Sequence, residues 1–275
     1  MNKDLDLCVF ISSKDRYGRT EDYKITIASF LEQAGDSFNN KYVNIKVFKG
    51  DEKNALNIES FFKNLDFKIN IIKDEIGILN SDRYDNRQKF ISGITADISN
   101  FFLKYQNTLS KYVFILEDDS PIVLKKYNFQ YYENKSKILL QSDEDIEAIH
   151  FLRLSCNEIP CSPLEWFIYH NIENLKNEEI ITEYWYNFQP RICRTDTLIN
   201  VCLLINQNWN FYKNLHTEDA FDKAYKQYNK NIRYYAFSPY NAYSIHLGLD
   251  NNLHKLVIES EPEINSKYNS LNEKN

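Results

Sequence analysis

The sequence predicts an α/β fold in which helices cover both faces of a mostly parallel sheet. Strand-like and helix-like segments alternate from residue 5 to residue 116 in the order β-α-β-α-β-α-β, which is typical of a doubly wound sheet. The last of these strands, residues 112–116, reads Y-V-F-I-L and contains no charged residue. Such a run, without polar alternation, indicates a strand that is buried on both faces between helical layers.

The first half of the chain is divided by its apolar spacing and by the polar turns between segments. Apolar residues at 25, 27, 28, 30 and 31 favour a helix that packs on a sheet. Strands are predicted at residues 5–12, 42–48, 67–72 and 112–116, and helices at 20–33, 58–65 and 85–105.

The second half, after Pro121, has a less regular pattern. Helices are predicted at 124–141, 194–204 and 216–228, and strands at 148–154, 232–238 and 242–248. Residues 182–193 are predicted to form a strand followed by a turn. No linker divides the chain, so we expect one domain at 1–258, followed by a polar tail at 259–275. Residues 157–180 have a mixed character that is typical of an insertion shaping a pocket.

Charge and cysteine content exclude several classes of protein. A formal net charge of −6 over 275 residues gives no general electrostatic reason to bind nucleic acid. The five cysteines have no metal-binding spacing, which favours buried free thiols in a reducing compartment. Residues 1–7 do not resemble a secretory leader, and no segment has the length of a membrane span. We therefore expect a cytoplasmic protein.

Three adjacent acids, Glu117, Asp118 and Asp119, follow the buried strand directly. Adjacent carboxylates repel one another and lose hydration when buried, so a fold places them near a cation or in solvent. Ligands of open α/β sheets bind at the carboxyl ends of such strands. Clustered carboxylate oxygens suit Mg²⁺ or Mn²⁺ better than Zn²⁺. The alternative is an acidic turn that begins the next element.

Polar residues also follow the first two strands. Ser12, Lys14 and Arg16 lie in the first strand-to-helix loop, where basic side chains can neutralise the phosphates of a nucleotide. Asp51 follows the second strand and could accept hydrogen bonds from a base or a ribose. Ordinary solvated charges and a turn would require the same residue types.

Two features of the second half carry further candidate residues. Glu218 and Asp219 open a predicted helix, where acids also stabilise the helix dipole. His246 lies two residues before Gly248 near the end of the predicted domain. Trp185 and Tyr186 could stack on bases or sugar rings, although aromatic residues more often pack in a core.

The order of these features resembles that of nucleotide-sugar glycosyltransferases of the GT-A fold, most of all the inverting family-two group. E-D-D at 117–119 is similar to the acidic strand-end motif of that group, and T-E-D at 217–219 is similar to its T-E-D segment. The residues at 221–225 and 232–235 resemble the helix and strand that follow it, and those around Arg87 resemble the helix before the metal motif. I-L-E-D-D also resembles the acidic motif of lipooligosaccharide galactosyltransferases.

The resemblance implies a Rossmann-like central sheet and a role for each candidate. Asp119 would hold Mn²⁺ or Mg²⁺ against a diphosphate, and Asp118 would contact the ribose or the water shell of the metal. His246 would be a further contact to the metal or the diphosphate; the alternative is a hydrogen-bonded histidine at the end of a strand. Asp219 would be the general base, with Glu218 as the alternative base or a positioning residue. Residues 1–122 would bind the nucleotide sugar, together with Arg87. Residues 123–258 would bind the acceptor, with Trp185 and Tyr186 as candidates for stacking on its sugar rings.

The same resemblance implies transfer of a hexose from a nucleotide diphosphate sugar to a glycan or a lipid-linked saccharide, with inversion. It also implies a role in polysaccharide biosynthesis, with peripheral association at the inner face of a membrane. Two alternatives remain: a nucleotidyltransferase on a related fold, and an inactive GT-A domain that acts as a binding module. A dehalogenase-like phosphatase is disfavoured because residues 9–12 (V-F-I-S) contain no acid.

Overall fold

The computed structural model describes part of the chain, to which every statement on structure below refers. The described residues are 3–13, 22–73, 87–118, 120, 122–124, 127–151, 153–154, 180–182, 190–238 and 241–245.

Eleven strands occur in these residues and form two sheets. In chain order the strands are β1 (Leu5–Ser12), β2 (Lys41–Val47), β3 (Lys68–Lys73), β4 (Tyr112–Glu117), β5 (Ile122–Leu124), β6 (Ile146–Phe151), β7 (Arg153–Leu154), β8 (Ile180–Thr182), β9 (Arg191–Arg194), β10 (Arg233–Phe237) and β11 (Ala242–Ile245). The large sheet has the order β3-β2-β1-β4-β9-β6-β10-β8, and the small sheet has the order β5-β11-β7.

Seven described helices accompany the sheets. They are α1 (Asp22–Ala34), α2 (Glu52–Lys63), α3 (Arg87–Tyr105), α4 (Phe129–Ser142), α5 (Thr195–Gln207), α6 (Trp209–Tyr212) and α7 (Thr217–Tyr228). Apolar side chains of α1, α2 and α4 share one core with the large sheet, and those of α3, α5 and α7 share a second core on its opposite face. The predicted α/β class, with a mostly parallel sheet between helical layers, is confirmed.

Strand β4 is the centre of both cores. Residues 112–116 are each at most 1% exposed. Phe114 faces the first core, where its ring stacks on that of Phe30 with centroids 4.6 Å apart. Val113 and Ile115 face the second core. The prediction of a strand buried on both faces is therefore correct.

Strand direction departs from a fully parallel sheet at β9, which lies antiparallel between β4 and β6. β8 is also antiparallel to its neighbour β10, whereas the other six strands of the large sheet run in one direction. An antiparallel strand in this position lets α5 begin at the amino edge of the sheet, opposite to where the parallel strands end.

The predicted helix at 124–141 is wrong at its beginning. Residues Ile122–Leu124 form β5 of the small sheet, where β-branched side chains favour a strand. Helix α4 begins only after Asn128, whose side chain accepts a hydrogen bond from the N–H of Tyr131 at 3.1 Å. An Asn in this role is a strong helix-start signal.

Three of the cysteines, Cys8, Cys193 and Cys202, are buried free thiols in the second core. Burial raises the pKa of all three and brings that of Cys202 to about 12. None of the described helices is both long enough and apolar enough to cross a bilayer.

Arg194 joins β9 to the connection between α4 and β6. Its guanidinium donates to the carbonyl oxygens of Leu140 (2.5 Å), Asp143 (3.1 Å), Glu144 (2.7 Å) and Ile146 (2.7 Å). A planar group with several fixed donors can satisfy four carbonyls at once, which an ammonium cannot.

We predict that Arg194→Lys lowers the free energy of unfolding by about 1.5–3 kcal/mol, because charged hydrogen bonds to these carbonyls are lost. Urea unfolding followed by circular dichroism measures the change. Arg233→Lys is the matched control, since the Arg233 side chain is about one-third exposed and forms an ion pair with Asp143; its effect should stay within about 1 kcal/mol. Equal losses in the two variants would contradict the role given to Arg194.

A buried charged cluster lies between β6 and β9. Glu147, His150 and Arg191 are fully buried, with 3.4 Å between His150 Nε2 and Glu147 Oε2 and 3.9 Å between Arg191 Nε and Glu147 Oε1. Burial alone would raise the pKa of Glu147, but the hydrogen bond with His150 and the charge of Arg191 hold it below its usual value. Burial lowers the pKa of His150, and the charge of Glu147 only partly offsets this. The geometry therefore describes an ion pair between Glu147 and Arg191 beside a neutral imidazole.

This cluster predicts a loss of stability on acidification. The unfolded chain protonates His150 below about pH 6.5, whereas the folded chain keeps it neutral, so unfolding takes up a proton in that window. The free energy of unfolding should then fall by up to about 1.4 kcal/mol per pH unit below pH 6.5, until the lowered pKa of His150 is reached. His150→Asn should flatten this slope in urea unfolding between pH 7.5 and pH 5.5. His216→Asn, at an exposed histidine, should retain the slope, and equal slopes in both variants would exclude His150 as its source.

Candidate functional site

The carboxyl ends of β1 and β4 meet where the sheet changes its winding direction. β1 pairs in parallel with β2 on one side and with β4 on the other, and helices α1 and α3 lie on opposite faces. Such a switch point leaves a crevice outside the strand ends, where ligands of open α/β sheets bind.

Asp118 occupies this switch point. Its N–H donates to the carbonyl of Phe10 at 3.2 Å, and its Oδ2 accepts a hydrogen bond from the N–H of Ser12 at 3.4 Å. The carboxylate is only partly buried. Of the predicted donor residues, Ser12 and Asp118 are thus in direct contact, as expected for the ends of two adjacent parallel strands.

The end of β1 is held by β2 and α2. The Ser13 hydroxyl is fully buried and accepts a hydrogen bond from the N–H of Phe48 at 2.9 Å, while the Asn54 amide donates to the Ser13 carbonyl at 2.7 Å. Contacts from the end of β2 and from α2 therefore fix the backbone next to Ser12. Ser13 and Asn54 are supporting residues that the sequence reasoning missed, because small polar residues in a loop carry no distinctive pattern.

Asp51 lies directly before α2 and is partly exposed. Gly50 precedes it with a φ of 96°, a conformation that glycine adopts without steric cost. Within the described residues, the Asp51 side chain makes no capping hydrogen bond to α2. The structure thus places this carboxylate near the end of β2, one strand away from Ser12, without a helix-capping role.

An ion pair at the end of β2 was not predicted. Lys46 Nζ lies 2.7 Å from Asp97 Oδ2 of α3, and both side chains are less than one-fifth exposed. Lys46 is paired in register with Ser12, so the cation lies beside the end of β1. The signal in the sequence is that Lys46 falls on the same strand face as Tyr42 and Asn44, the face covered by α3.

The first turn of α7 contains the two predicted catalytic acids. Glu218 and Asp219 are both partly exposed, and Glu218 Oε2 lies 3.6 Å from Nδ1 of His216. Helices α3 and α7 precede the parallel strands β4 and β10, so both helices begin at the carboxyl edge of the sheet. Asp118 and Asp219 therefore share one edge, as the proposed site requires.

The acidic side chains at the switch point decide whether a divalent metal ion could bind there. Glu117 and Asp118 offer carboxylate oxygens, which suit Mg²⁺ or Mn²⁺. The described residues contain no group of three histidine, cysteine or acidic side chains that could hold a metal ion. Asp119 and His246, the predicted metal ligands, lie outside the described residues.

Other predicted site residues cannot be placed in this geometry. Arg87 begins α3, but its side chain is not among those described. The remaining predicted residues lie outside the described residues and are Lys14, Arg16, Trp185 and Tyr186.

Comparisons with known proteins add a structural similarity. No protein-family model matches the chain, and no curated protein matches it. The chain is similar to the crystal structure of S. aureus TarS, with 13% sequence identity and a TM-score of 0.46. The similarity covers 88% of this chain and 36% of the TarS chain, so this chain spans about a third of the length of TarS.

Proposed function

We propose that this chain transfers a sugar from a nucleotide diphosphate sugar to a glycan or a lipid-linked glycan. The observation that carries the proposal is the contact between Asp118 and the end of β1 at the switch point of the sheet. A carboxylate in this crevice, with a second acidic pair at the same edge on α7, supports a two-substrate site. Residues 1–122 would bind the donor and residues 123–258 the acceptor.

On the donor side, the proposal gives each candidate residue a binding role. Ser12 and Asp118 would line the ribose and diphosphate, Asp51 would contact the base or the ribose, and Lys14 and Arg16 would offset phosphate charge. Asp119 and His246, with Asp118, would hold Mn²⁺ or Mg²⁺. When bound, such a cation supplies charge neutralisation for the diphosphate.

On the acceptor side, the proposed base is Asp219. Its carboxylate takes the proton of an acceptor hydroxyl, whose oxygen forms the new bond to the anomeric carbon of the sugar. The bond from that carbon to the diphosphate oxygen breaks, and the diphosphate leaves with the electron pair. Attack from the face opposite the leaving group inverts the anomeric configuration. The partial exposure of Asp219 and its place in the first helical turn support this role, and Glu218 is the alternative base.

We predict that Asp118→Asn and Asp119→Asn abolish the Mn²⁺-dependent stabilisation of the fold by a nucleoside diphosphate. Loss of a carboxylate removes both a cation ligand and a ribose contact. Thermal unfolding with UDP, GDP and CDP, each with and without Mn²⁺, measures the effect. Asp36→Asn is the control, because Asp36 is exposed after α1 at the amino edge. Unchanged metal-linked stabilisation in both switch-point variants would remove the donor assignment.

The base assignment predicts that Asp219→Asn retains donor binding and loses about 10²–10⁴-fold in kcat, the usual contribution of a general base. The measurement is nucleoside diphosphate release from a panel of nucleotide sugars. Asp196→Asn, an acid in the first turn of α5 at the amino edge, should keep its activity. Full activity of Asp219→Asn together with an inactive Glu218→Gln would exchange the two roles.

The same assays separate the alternative functions. Turnover of simple phosphoesters would favour a phosphatase, and formation of nucleotide sugars would favour a nucleotidyltransferase. Binding without turnover would favour a binding module.

A further inference from the structure

A buried pair of hydroxyl groups connects α3 to the first residue of α7. The Thr95 hydroxyl donates to Oγ1 of Thr217 across 3.0 Å, although the two residues are 122 positions apart in the chain. Thr95 is fully buried and Thr217 is 6% exposed. A buried hydrogen bond between two side chains holds both elements at a fixed separation, because breaking it strands polar atoms away from water.

This contact lies at the start of α7, directly after its N-cap residue. His216 is the N-cap residue, and within the described residues its side chain makes no capping hydrogen bond. The helix begins with the backbone bond from the N–H of Ala220 to the carbonyl of His216 at 2.8 Å. Helix starts are normally held by a Ser, Thr, Asp or Asn at the N-cap. Here the hydroxyl that anchors the start belongs to the next residue and points to a different helix.

Helix α3 is itself held on the sheet close to this point. Asp97, two residues after Thr95, forms the ion pair with Lys46 at the end of β2. Residues two apart on a helix point in different directions, so α3 contacts β2 with one side and α7 with another. The position of the start of α7 relative to the strand ends at the switch point is therefore fixed through contacts with α3.

We propose that Thr95 and Thr217 are positioning residues that set the place of the Asp219 carboxylate relative to the donor. This inference rests on the proposed function, in which Asp219 is the general base. Asp219 is two residues after Thr217 in the same helical turn, so a shift of that turn moves the carboxylate directly. Misplacement of a reacting group by about 1 Å can cost on the order of 10²-fold in rate. Donor binding involves other residues and remains intact.

The test compares Thr95→Val and Thr217→Val with Thr95→Ser and Thr217→Ser. Valine keeps the shape of threonine and removes the hydroxyl, whereas serine keeps the hydroxyl. The probes are UDP-glucose, UDP-N-acetylglucosamine and GDP-mannose with Mn²⁺ and water as the acceptor. Water gives its proton to Asp219, its oxygen bonds to the anomeric carbon, and the nucleoside diphosphate leaves with the electron pair of the broken bond. Release of the diphosphate gives kcat and KM separately.

Thr195→Val is the matched control. Thr195 is also the first residue of a helix, α5, is also 6% exposed, and donates its hydroxyl to the carbonyl of Ser110 at 2.6 Å. It lies at the amino edge of the sheet, opposite to the proposed site. Its substitution should lower the thermal unfolding temperature as Thr217→Val does, while kcat is unchanged.

The expected result is a loss of about ten-fold or more in kcat for each valine variant, with KM for the donor within about two-fold of the wild type. Both serine variants should recover most of the rate, and the double valine variant should be no slower than the slower single variant, because the two hydroxyls act as one contact.

The inference is overturned if Thr217→Val keeps its kcat, if serine is no better than valine, or if Thr195→Val loses kcat to the same extent. A wild-type chain that turns over none of the three donors, while binding UDP or GDP, overturns the proposed function, and the inference falls with it. Activity in the wild type together with full activity in Thr95→Val and Thr217→Val overturns only the inference.

Discussion

The burial of β4 between two helical layers is the constraint on which the rest of the structure depends. Its five apolar residues leave no solvent-facing side, so a core is needed on each face. The ring of Phe114 contacts α1 and α4 side chains on one face, and Val113 and Ile115 contact the second core on the other. A strand held in this way ends at a fixed place, and Asp118 directly after it contacts the end of β1.

Helix α3 is the element that relates the two halves of that site. Its ion pair with Lys46 reaches β2 beside the end of β1, and the hydroxyl of Thr95 reaches the start of α7. Partly buried ion pairs and buried hydrogen bonds differ from surface pairs because solvent screens them less. The end of β2 and the acidic turn of α7 are thus connected by two short polar contacts and by the packing of α3.

Local patterns in the sequence were sufficient for much of this architecture. The apolar run of β4 and the acidic start of α7 are visible in single segments, and the parallel β-α-β order places Ser12 beside Asp118. The antiparallel insertion of β9 was not predictable, because the short segment R-I-C-R has no pattern that specifies its neighbours. The contacts of Lys46 and Thr95 were missed for the same reason: each depends on a partner far along the chain. Asp51, by contrast, was expected after β2 and is found there, outside a helix-capping role.

The place of β9 has a consequence for how the chain reaches its folded state. β4 can pair with β1 as soon as it is made. The other edge of β4 stays unpaired until β9 has been made, since the pairing partner of Val113 is Cys193, 80 residues later. Contacts between such distant segments form slowly because a long loop must close first. Until then β4, which is buried in the folded chain, presents an open row of backbone donors and acceptors, which is a template for association with another chain. The strand that lies between the two cores of the folded molecule is therefore exposed to intermolecular pairing until β9 has been made.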